Sequence, residues 1–344
     1  MKNYYLIFTY FFLFLLYSCA IRSPSSVGQV DSCLANRAAV DVGSGNTKMK
    51  VAIVDKCELK IIKIIEVYAE KIDFKEDLMK SSDKTLSQEL QKKALKVFAN
   101  LRAVARSLDV QENNIVGVAT AALRDAKNGQ EFVAQIHSQL GIRIKVISQH
   151  EEGVVGYYAA QSELGNQKNI VVWDIGGGSS QITYRLKNGF HVYEGDLASV
   201  NFKNRLISEI QKKDGVSPNP LSLEDAKQGV KLVKNHLREK PDQEVVKKIK
   251  KNHGIVFGIG GVHGESIRKQ LNQNDYTIKD LDKGLKNRVG LSDEEIGGKY
   301  AATDVTNLSL VKGYMQYFGI KKVKIVEVNN SNGILLMPEF WPQD

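Results

Sequence analysis

Two short glycine-rich segments contain the residues of this chain that are best suited to bind an anion. Residues 39–51 read AVDVGSGNTKMKV and residues 172–184 read VWDIGGGSSQITY, so both follow the pattern D-x-G-x-G-[NS]-[ST] between β-rich runs. A strand, a tight glycine turn and a returning strand place several backbone N–H groups around one point, and an Asp at the strand end suits a metal-bound water. A ligand-free hairpin turn explains either copy alone, but two copies in register favour a duplicated architecture.

The pattern of strands and helices around these segments also occurs twice. From residue 36 the chain has three β-type runs and then alternates between helical and β-type spacing, and the same order restarts at NIVVWDI. This order, βββαβαβα, predicts an α/β fold with two domains, residues 36–165 and 166–344, each a mixed sheet with helices on both faces. Ligands of such sheets bind at the carboxyl ends of the strands, so we expect the site in the cleft between the domains.

The N-terminus has the features of an export signal. Residues 1–18 form a short apolar run that ends in Leu16-Tyr17-Ser18 before Cys19, which resembles the lipobox of bacterial lipoproteins. This resemblance predicts a signal peptide over 1–18, lipidation of Cys19 and a flexible tether over 19–35. An uncleaved membrane anchor is the alternative. Both interpretations predict an exported, membrane-anchored protein that faces the periplasm or the cell exterior.

Composition and charge narrow the class of partner. The chain has 344 residues, an ordinary globular composition with 42% hydrophobic residues, and a formal net charge of +9. A basic exported protein suits an acidic partner or an anionic membrane surface. The basic run over 240–251 is more typical of a solvated helix face than of a polyanion site, and we expect no nucleic-acid partner.

Two cysteines remain once Cys19 is assigned to lipidation. An even pair in an exported chain indicates a disulfide between Cys33 and Cys57. If the first two strands form a hairpin centred on Gly45, the numbers of opposed residues add to about 90, and the two cysteines face each other. A bulge or a shifted turn would separate them and leave two unpaired thiols.

Several further segments carry a family resemblance. These are GVATAALRDAKNGQEF (117–132), KVISQHEEGVVGYYAA (145–160), FGIGGVHG (257–264) and SLVKGYMQYFGIKKVKI (309–325). Together with the second glycine loop they resemble the exopolyphosphatase and guanosine-pentaphosphate phosphohydrolase family, Ppx/GppA, in its short two-domain form. The resemblance runs in order over 37–336 and implies two ribonuclease-H-like domains of the actin-like ATPase superfamily.

The resemblance also implies a set of site residues. Glu152 matches the catalytic base, and like-charge proximity to Glu151 is expected to raise its pKa. Arg124 matches a phosphate-facing arginine, while Asp174 and Asp41 would organise Mg²⁺ or another divalent cation. The implied phosphate-binding residues are Ser44, Gly45, Asn46, Gly177, Gly178, Ser179, Gly260 and Gly261. Residue types alone leave simpler explanations open, because acidic residues favour helix N-termini and arginines are common on surfaces.

Departures from the family pattern leave two functions open. Gln181 stands where the family usually has a second carboxylate, and NNSNGILLMP (329–338) differs from the usual S-D-G-x-x-R-E-G. The first hypothesis is a lipid-anchored hydrolase that releases terminal phosphate from inorganic polyphosphate, or from guanosine-pentaphosphate-type phosphoanhydrides. The rival is a catalytically impaired lipoprotein that binds polyphosphate or a nucleotide. A homodimer is open alongside a monomer.

Overall fold

A computed structural model of the chain describes residues 33–165 and 167–342. The predicted signal peptide over 1–18, the lipidation site Cys19 and most of the predicted tether lie outside the described residues. Within the described ranges, no helix combines the length and the apolar character that a membrane span requires.

The first half of the chain begins with three long strands and then alternates helices with short strands. Its strands are β1 (Leu34–Val42), β2 (Asn46–Asp55), β3 (Lys60–Lys71), β4 (Ile115–Ala119) and β5 (Arg143–Val146). Its helices are α1 (Phe74–Lys80), α2 (Gln88–Ser107), α3 (Ala121–Asp125), α4 (Gly129–Leu140) and α5 (Gln149–Leu164), with a short 3-10 turn at Glu112–Asn114.

The second half repeats this order with longer helical insertions. Its strands are β6 (Val171–Ile175), β7 (Ser180–Arg185), β8 (Phe190–Gly195), β9 (Ile255–Ile259), β10 (Asp275–Thr277) and β11 (Lys322–Ile325). Its helices are α6 (Ser199–Arg205), α7 (Leu223–Glu239), α8 (Gln243–Lys251), α9 (Arg268–Leu271), α10 (Ile278–Arg288), α11 (Asp293–Ile296), α12 (Ala301–Phe318) and α13 (Asn330–Leu336). Three short segments complete it: π-helical Leu206–Gln211 and Val262–Ile267, and a 3-10 turn at Pro338–Phe340.

The two sheets have the same topology, which confirms the predicted duplicated α/β fold. The first sheet has the order β3-β2-β1-β4-β5, and the second has the order β8-β7-β6-β9-β11 with β10 added at its edge. In each sheet the first three strands are antiparallel neighbours, and the central strand pairs in parallel with the strand that follows the first helical connection. The central strand β6 is wholly buried and β1 is buried from Arg37 to Val42, since helices cover both faces of the sheets.

Two details of the first hairpin differ from the prediction. Strand β1 begins at Leu34, so the end of the predicted tether over 19–35 belongs to the sheet. The numbers of opposed residues add to 89 instead of 90, as for Asp41 with Lys48. The turn is therefore centred between Ser44 and Gly45. Each residue of β1 pairs with the β2 residue one position before the predicted partner.

Helices α5 and α13 form the layer between the two sheets. Helix α13 packs against β1, β2 and α5, whereas α5 packs against β6, β7 and β8. Leu336 and Met337, which depart from the family pattern, are buried with Ala39 and Val118 of the first sheet. Their apolar character is thus explained by packing. Each half of the sequence supplies a helix to the region where the sheets meet, and both helices reach the cleft at their N-terminal ends.

Candidate active site

The two glycine-rich loops meet at one cleft. A cavity of about 850 Å³ lies at the carboxyl ends of β1 and β6 and is lined by both loops and by the turn after β9. The predicted phosphate-binding residues that line it are Ser44, Gly45, Asn46, Gly177, Gly178, Ser179, Gly260 and Gly261. Asp41, Glu152 and Asp174 line it as well. The fold therefore brings together almost all of the residues that the sequence singled out.

The loops have the same local geometry. The N–H of Gly43 donates to the carbonyl of Asn46 at 3.0 Å, and the N–H of Gly176 donates to the carbonyl of Ser179 at 2.9 Å. The loops also touch, since a Cβ added to Gly178 would lie 2.6 Å from Ser44 Oγ. Bare backbone is needed here because a side chain on Gly178 would force the two loops apart.

Gly260 brings the turn after β9 against Asp174. Its φ is +80°, and an added Cβ would lie 2.2 Å from Asp174 Oδ1. Only glycine satisfies both the left-handed conformation and this close approach. The backbone at Gly260 therefore forms one wall of the pocket around the Asp174 carboxylate.

The two glutamates at the start of α5 have different roles. Glu151 forms a capping box with Ser148: the Ser148 side chain accepts from the Glu151 N–H at 3.1 Å, and the Glu151 carboxylate accepts from the Ser148 N–H at 2.8 Å. Lys145 also donates to Glu151, at 2.7 Å. Capping therefore explains Glu151, as it does for many acidic residues at helix N-termini. Glu152 instead points into the cleft and is buried.

Glu152 is held between a cation and a hydroxyl. Arg124 Nη1 donates to Glu152 Oε2 at 3.1 Å, and Ser179 Oγ lies 3.3 Å from both carboxylate oxygens. Burial raises the pKa of Glu152 to about 7, against the lowering effect of Arg124, and the charge of Asp41 raises it further. The expectation that Glu151 raises this pKa is wrong, because the Glu151 carboxylate is engaged by the cap and by Lys145.

The Arg124 guanidinium faces Glu152 more than it faces the open cleft. Besides Glu152, its guanidinium donates to the Ile147 carbonyl at 3.0 Å. It is the one predicted catalytic residue that does not appear among the described residues lining the cavity. Its geometry thus suits orientation of the Glu152 carboxylate, and it places a positive charge beside that group.

Two further carboxylates lie at equivalent strand ends. Burial raises the pKa of Asp41, and burial followed by the charges of Glu152 and Asp41 raises the pKa of Asp174 well above its usual range. Asp41 opposes Lys48 in the first hairpin, and Asp174 opposes Gln181 in the second. Directly opposed residues of a hairpin project from the same face, so Lys48 and Gln181 are counterparts in the duplicated fold.

The sequence prediction did not include Lys48 among the site residues, although its side chain lies in the cleft. The predicted register would have opposed Asp41 to Met49, and a shift of one residue moves every side chain to the other face. The spacing of Asp41 and Lys48 about the true turn is the signal that could have found it. Asn330, at the start of α13, was also missed, and its side chain donates to the Asp41 carboxylate.

The donor atoms around Asp41 and Asp174 fit a hard divalent cation. Asp41 Oδ1 and both polar atoms of Gln181 are buried and have no hydrogen-bond partner among the described residues. Buried polar atoms are rarely left unpaired, and oxygen donors of this kind suit Mg²⁺. Within the described part of the chain, Asp41, Glu152 and Asp174 do not converge as a close group of three ligands. Mg²⁺ commonly keeps several water ligands, which is compatible with this spacing.

The cysteines predicted to pair lie at the open end of the first hairpin. Cys33 and Cys57 form a disulfide in the structure, with Cα atoms 5.3 Å apart. Because the register is shifted by one residue, the Cys33 carbonyl accepts from the Lys56 N–H at 2.7 Å. The cysteines are thus diagonal neighbours instead of directly opposed.

Comparison with known protein families and sequences gives the same assignment as the motifs. Residues 52–202 match the model of the Ppx/GppA phosphatase family. The chain is 26% identical over 319 residues to a bifunctional 3-dehydroquinate synthase/phosphatase of Fusobacterium nucleatum, a match that covers 87% of this chain and 46% of that protein. It is 31% identical over 169 residues to a guanosine-5'-triphosphate,3'-diphosphate pyrophosphatase of Pseudoalteromonas atlantica, covering 49% of this chain and 32% of that protein. The chain thus spans less than half the length of these two relatives.

Solved structures share the fold over nearly the whole described chain. A Ppx/GppA family member from Aquifex aeolicus has a TM-score of 0.67 at 18% identity, covering 88% of this chain and 97% of that one. An exopolyphosphatase from Cytophaga hutchinsonii has a TM-score of 0.68 at 15% identity, covering 87% of this chain and 96% of that one. Residues 52–202 thus match the Ppx/GppA phosphatase family, and the described chain shares the two-sheet fold of solved members of that family.

Proposed function

We propose that this protein hydrolyses the terminal phosphoanhydride bond of inorganic polyphosphate, with Glu152 as the general base. The observation that carries the proposal is a buried carboxylate whose pKa is raised to about 7, located between the two glycine loops. A general base is most effective when its pKa is near the working pH. The match of residues 52–202 to the Ppx/GppA phosphatase family supports phosphoanhydride hydrolysis as the reaction.

In the proposed reaction, water attacks the terminal phosphorus and the P–O bond to the next phosphoryl group breaks. Glu152 accepts the proton of the attacking water, and the products are orthophosphate and a polyphosphate that is one residue shorter. Arg124 holds the carboxylate in position through its hydrogen bond to Oε2. The backbone N–H groups of the two loops would bind the phosphoryl oxygens, since clustered N–H groups favour anions.

A divalent cation would be held by Asp41 and Asp174, with the Gln181 amide oxygen as a neutral donor. Bound there, it would neutralise charge on the phosphoryl oxygens. A neutral amide attracts a cation less strongly than the carboxylate that the family usually has, so we expect a weaker metal site in this chain.

The exposed lysines of the cleft, the formal net charge of +9 and the predicted location support polyphosphate as the substrate. Four exposed lysines stand on the cleft walls, namely Lys80, Lys93, Lys269 and Lys299. They would attract a long polyanion from solution. The proposed lipid anchor at Cys19 would place the protein outside the cytoplasm, where polyphosphate is a more plausible substrate than a cytoplasmic nucleotide. The Pseudoalteromonas relative is named for a guanosine polyphosphate, which makes that nucleotide the second substrate to test.

The decisive experiment compares the wild-type protein with Glu152→Gln in a phosphate-release assay on long-chain polyphosphate. We expect the variant to lose turnover, by a factor of about 10² to 10⁴ for a missing general base, while polyphosphate binding is almost unchanged. Equal rates would refute the role of Glu152. Binding without release by the wild-type protein, with and without Mg²⁺, would favour the rival function of a binding lipoprotein.

The location is tested separately. Growth with a labelled fatty acid should label the wild-type protein, and Cys19→Ser should abolish the label and release the protein from the membrane fraction. Labelling that is unchanged in the variant would refute lipidation at Cys19.

A further inference from the structure

Two ion pairs cross the cleft, and each joins a lysine of one half to a carboxylate of the other. Lys203 Nζ, on α6, lies 2.6 Å from Glu76 Oε1, on α1. Lys48 Nζ, on β2, lies 3.7 Å from Glu265 Oε1, in the π-helical segment after β9. All four side chains line the cavity. The arrangement is reciprocal, since each half contributes one lysine and one carboxylate.

The Glu76–Lys203 pair is the tighter of the two. The Lys203 side chain is 5% exposed and that of Glu76 is 28% exposed, whereas Glu265 of the other pair is 65% exposed. A buried ammonium group requires a nearby anion, because its charge has been removed from water. Among the described residues, Glu76 meets this requirement for Lys203.

Lys203 is attached to the second glycine loop. At the start of α6, Val200 N–H donates to the Gly177 carbonyl at 2.8 Å, and Ser199 N–H donates to the Gly176 carbonyl at 3.2 Å. Lys203 follows one helical turn later, on the side that faces the cavity. Its ammonium group is therefore in the cleft next to the loop where phosphoryl groups would bind.

We propose that Glu76 is a specificity-determining residue, an internal counter-ion that a polyanion must displace from Lys203. The proposal rests on the proposed function in taking the ligand to be a phosphate chain. Glu265 has the same relation to Lys48 in a looser pair. A chain of adjacent phosphoryl groups offers charge to both lysines at once, whereas a single orthophosphate offers charge to one. The cross-cleft pairs therefore discriminate against the product and in favour of the substrate, because orthophosphate must displace Glu76 from Lys203 with the charge of one phosphoryl group, whereas polyphosphate gains contacts to both lysines.

The test measures binding in the Glu152→Gln background, so that no substrate is consumed during the titration. Isothermal calorimetry gives the Kd of long-chain polyphosphate and of orthophosphate with and without Glu76→Gln. Removing the counter-ion is expected to tighten orthophosphate binding by roughly tenfold, a change typical of one close charge pair, and to tighten polyphosphate binding by a smaller factor. The ratio of the two affinities should fall.

Glu89→Gln is the matched control, because Glu89 also lines the cleft but is exposed on α2. We expect it to change either Kd by less than about twofold, as for other exposed charges. Glu265→Gln changes an exposed residue and is the replacement test if Glu76→Gln does not fold. It should tighten orthophosphate binding by roughly threefold, because the Lys48–Glu265 pair is longer and more solvated than the Glu76–Lys203 pair.

The possible outcomes are distinct. Orthophosphate affinity that is unchanged or weaker in Glu76→Gln, or equal to that of Glu89→Gln, would show that the pair only braces the two halves and would overturn the proposal. If the background protein binds no polyphosphate, the proposed function fails, and the orthophosphate titration still decides whether Glu76 competes for Lys203.

Discussion

Glu152→Gln is expected to make the metal-free protein more stable than the wild type above neutral pH. Burial raises the pKa of Glu152 from 4.5 to about 7 in the folded protein. An acid with a raised folded pKa adds no penalty while it is protonated in both states, below about pH 4.5. Between about pH 4.5 and 7 the unfolded state ionises while the folded carboxyl group stays protonated, so stability is lost over this range; above about pH 7 both states are ionised and the penalty is constant.

The size of the effect follows from this difference in pKa. A change from 4.5 to about 7 corresponds to roughly 3 kcal/mol of unfolding free energy at pH 8. Glutamine resembles the protonated carboxyl group in shape and charge, so the variant avoids most of this penalty. Its gain is reduced where Arg124 then lacks a carboxylate partner, since that guanidinium lies 3.1 Å from Glu152 Oε2.

The assay is urea unfolding of both proteins at pH 4.5 and pH 8, with a chelator present so that no cation neutralises the site. The difference in unfolding free energy should be near zero at pH 4.5 and should favour the variant at pH 8. Glu151→Gln is the neighbouring control. Burial acts to raise the pKa of Glu151, but hydrogen bonds from Lys145 and Ser148 outweigh it and lower that pKa. The control Glu151→Gln should therefore be less stable than the wild type, and by a larger margin at pH 8 than at pH 4.5. If the difference in unfolding free energy between Glu152→Gln and the wild type is no larger at pH 8 than at pH 4.5, the assignment of a buried, destabilising carboxylate is refuted.

Three other predictions concern the same site and its hairpin. Arg124→Ala should raise the pKa of Glu152 above about 7 and move the acidic limb of the pH–rate profile upward by about 1 to 3 pH units. Arg124→Lys, which keeps the charge, should move the limb less. An acidic limb that does not move in Arg124→Ala would contradict the coupling of Arg124 and Glu152. Gln181→Glu should lower the Mg²⁺ concentration that half-saturates a thermal-shift titration, because hard cations prefer charged oxygen ligands, and an unchanged titration would place Gln181 outside the metal shell. Reduction of the disulfide between Cys33 and Cys57, which closes a loop containing the first glycine turn, should lower the unfolding free energy by roughly 3 kcal/mol, and separate free-thiol peptides of the two cysteines in non-reducing mass spectrometry would contradict the bond.

The sequence by itself determined the features that depend on short-range patterns. The apolar spacing of each strand and helix is local, so the duplicated order and the two-sheet fold could be predicted. The glycine pattern after Asp41 and Asp174 could be recognised for the same reason, since the turn conformation requires these residues wherever the loop lies. The N-terminal position of Glu152 in its helix was also readable from the SQHEEG segment.

Only the tertiary structure decided which atoms meet and how strongly each carboxylate is perturbed. The hairpin register differs by one residue from the prediction, and that residue decides whether Lys48 or Met49 accompanies Asp41. Burial, and not the neighbouring Glu151, raises the pKa of Glu152, because burial depends on the packing of the loops and helices around the cleft. The contact between Glu76 and Lys203 joins residues that are 127 positions apart in the chain. No local pattern specifies such a pair, since it exists only when both halves have folded and closed on one another.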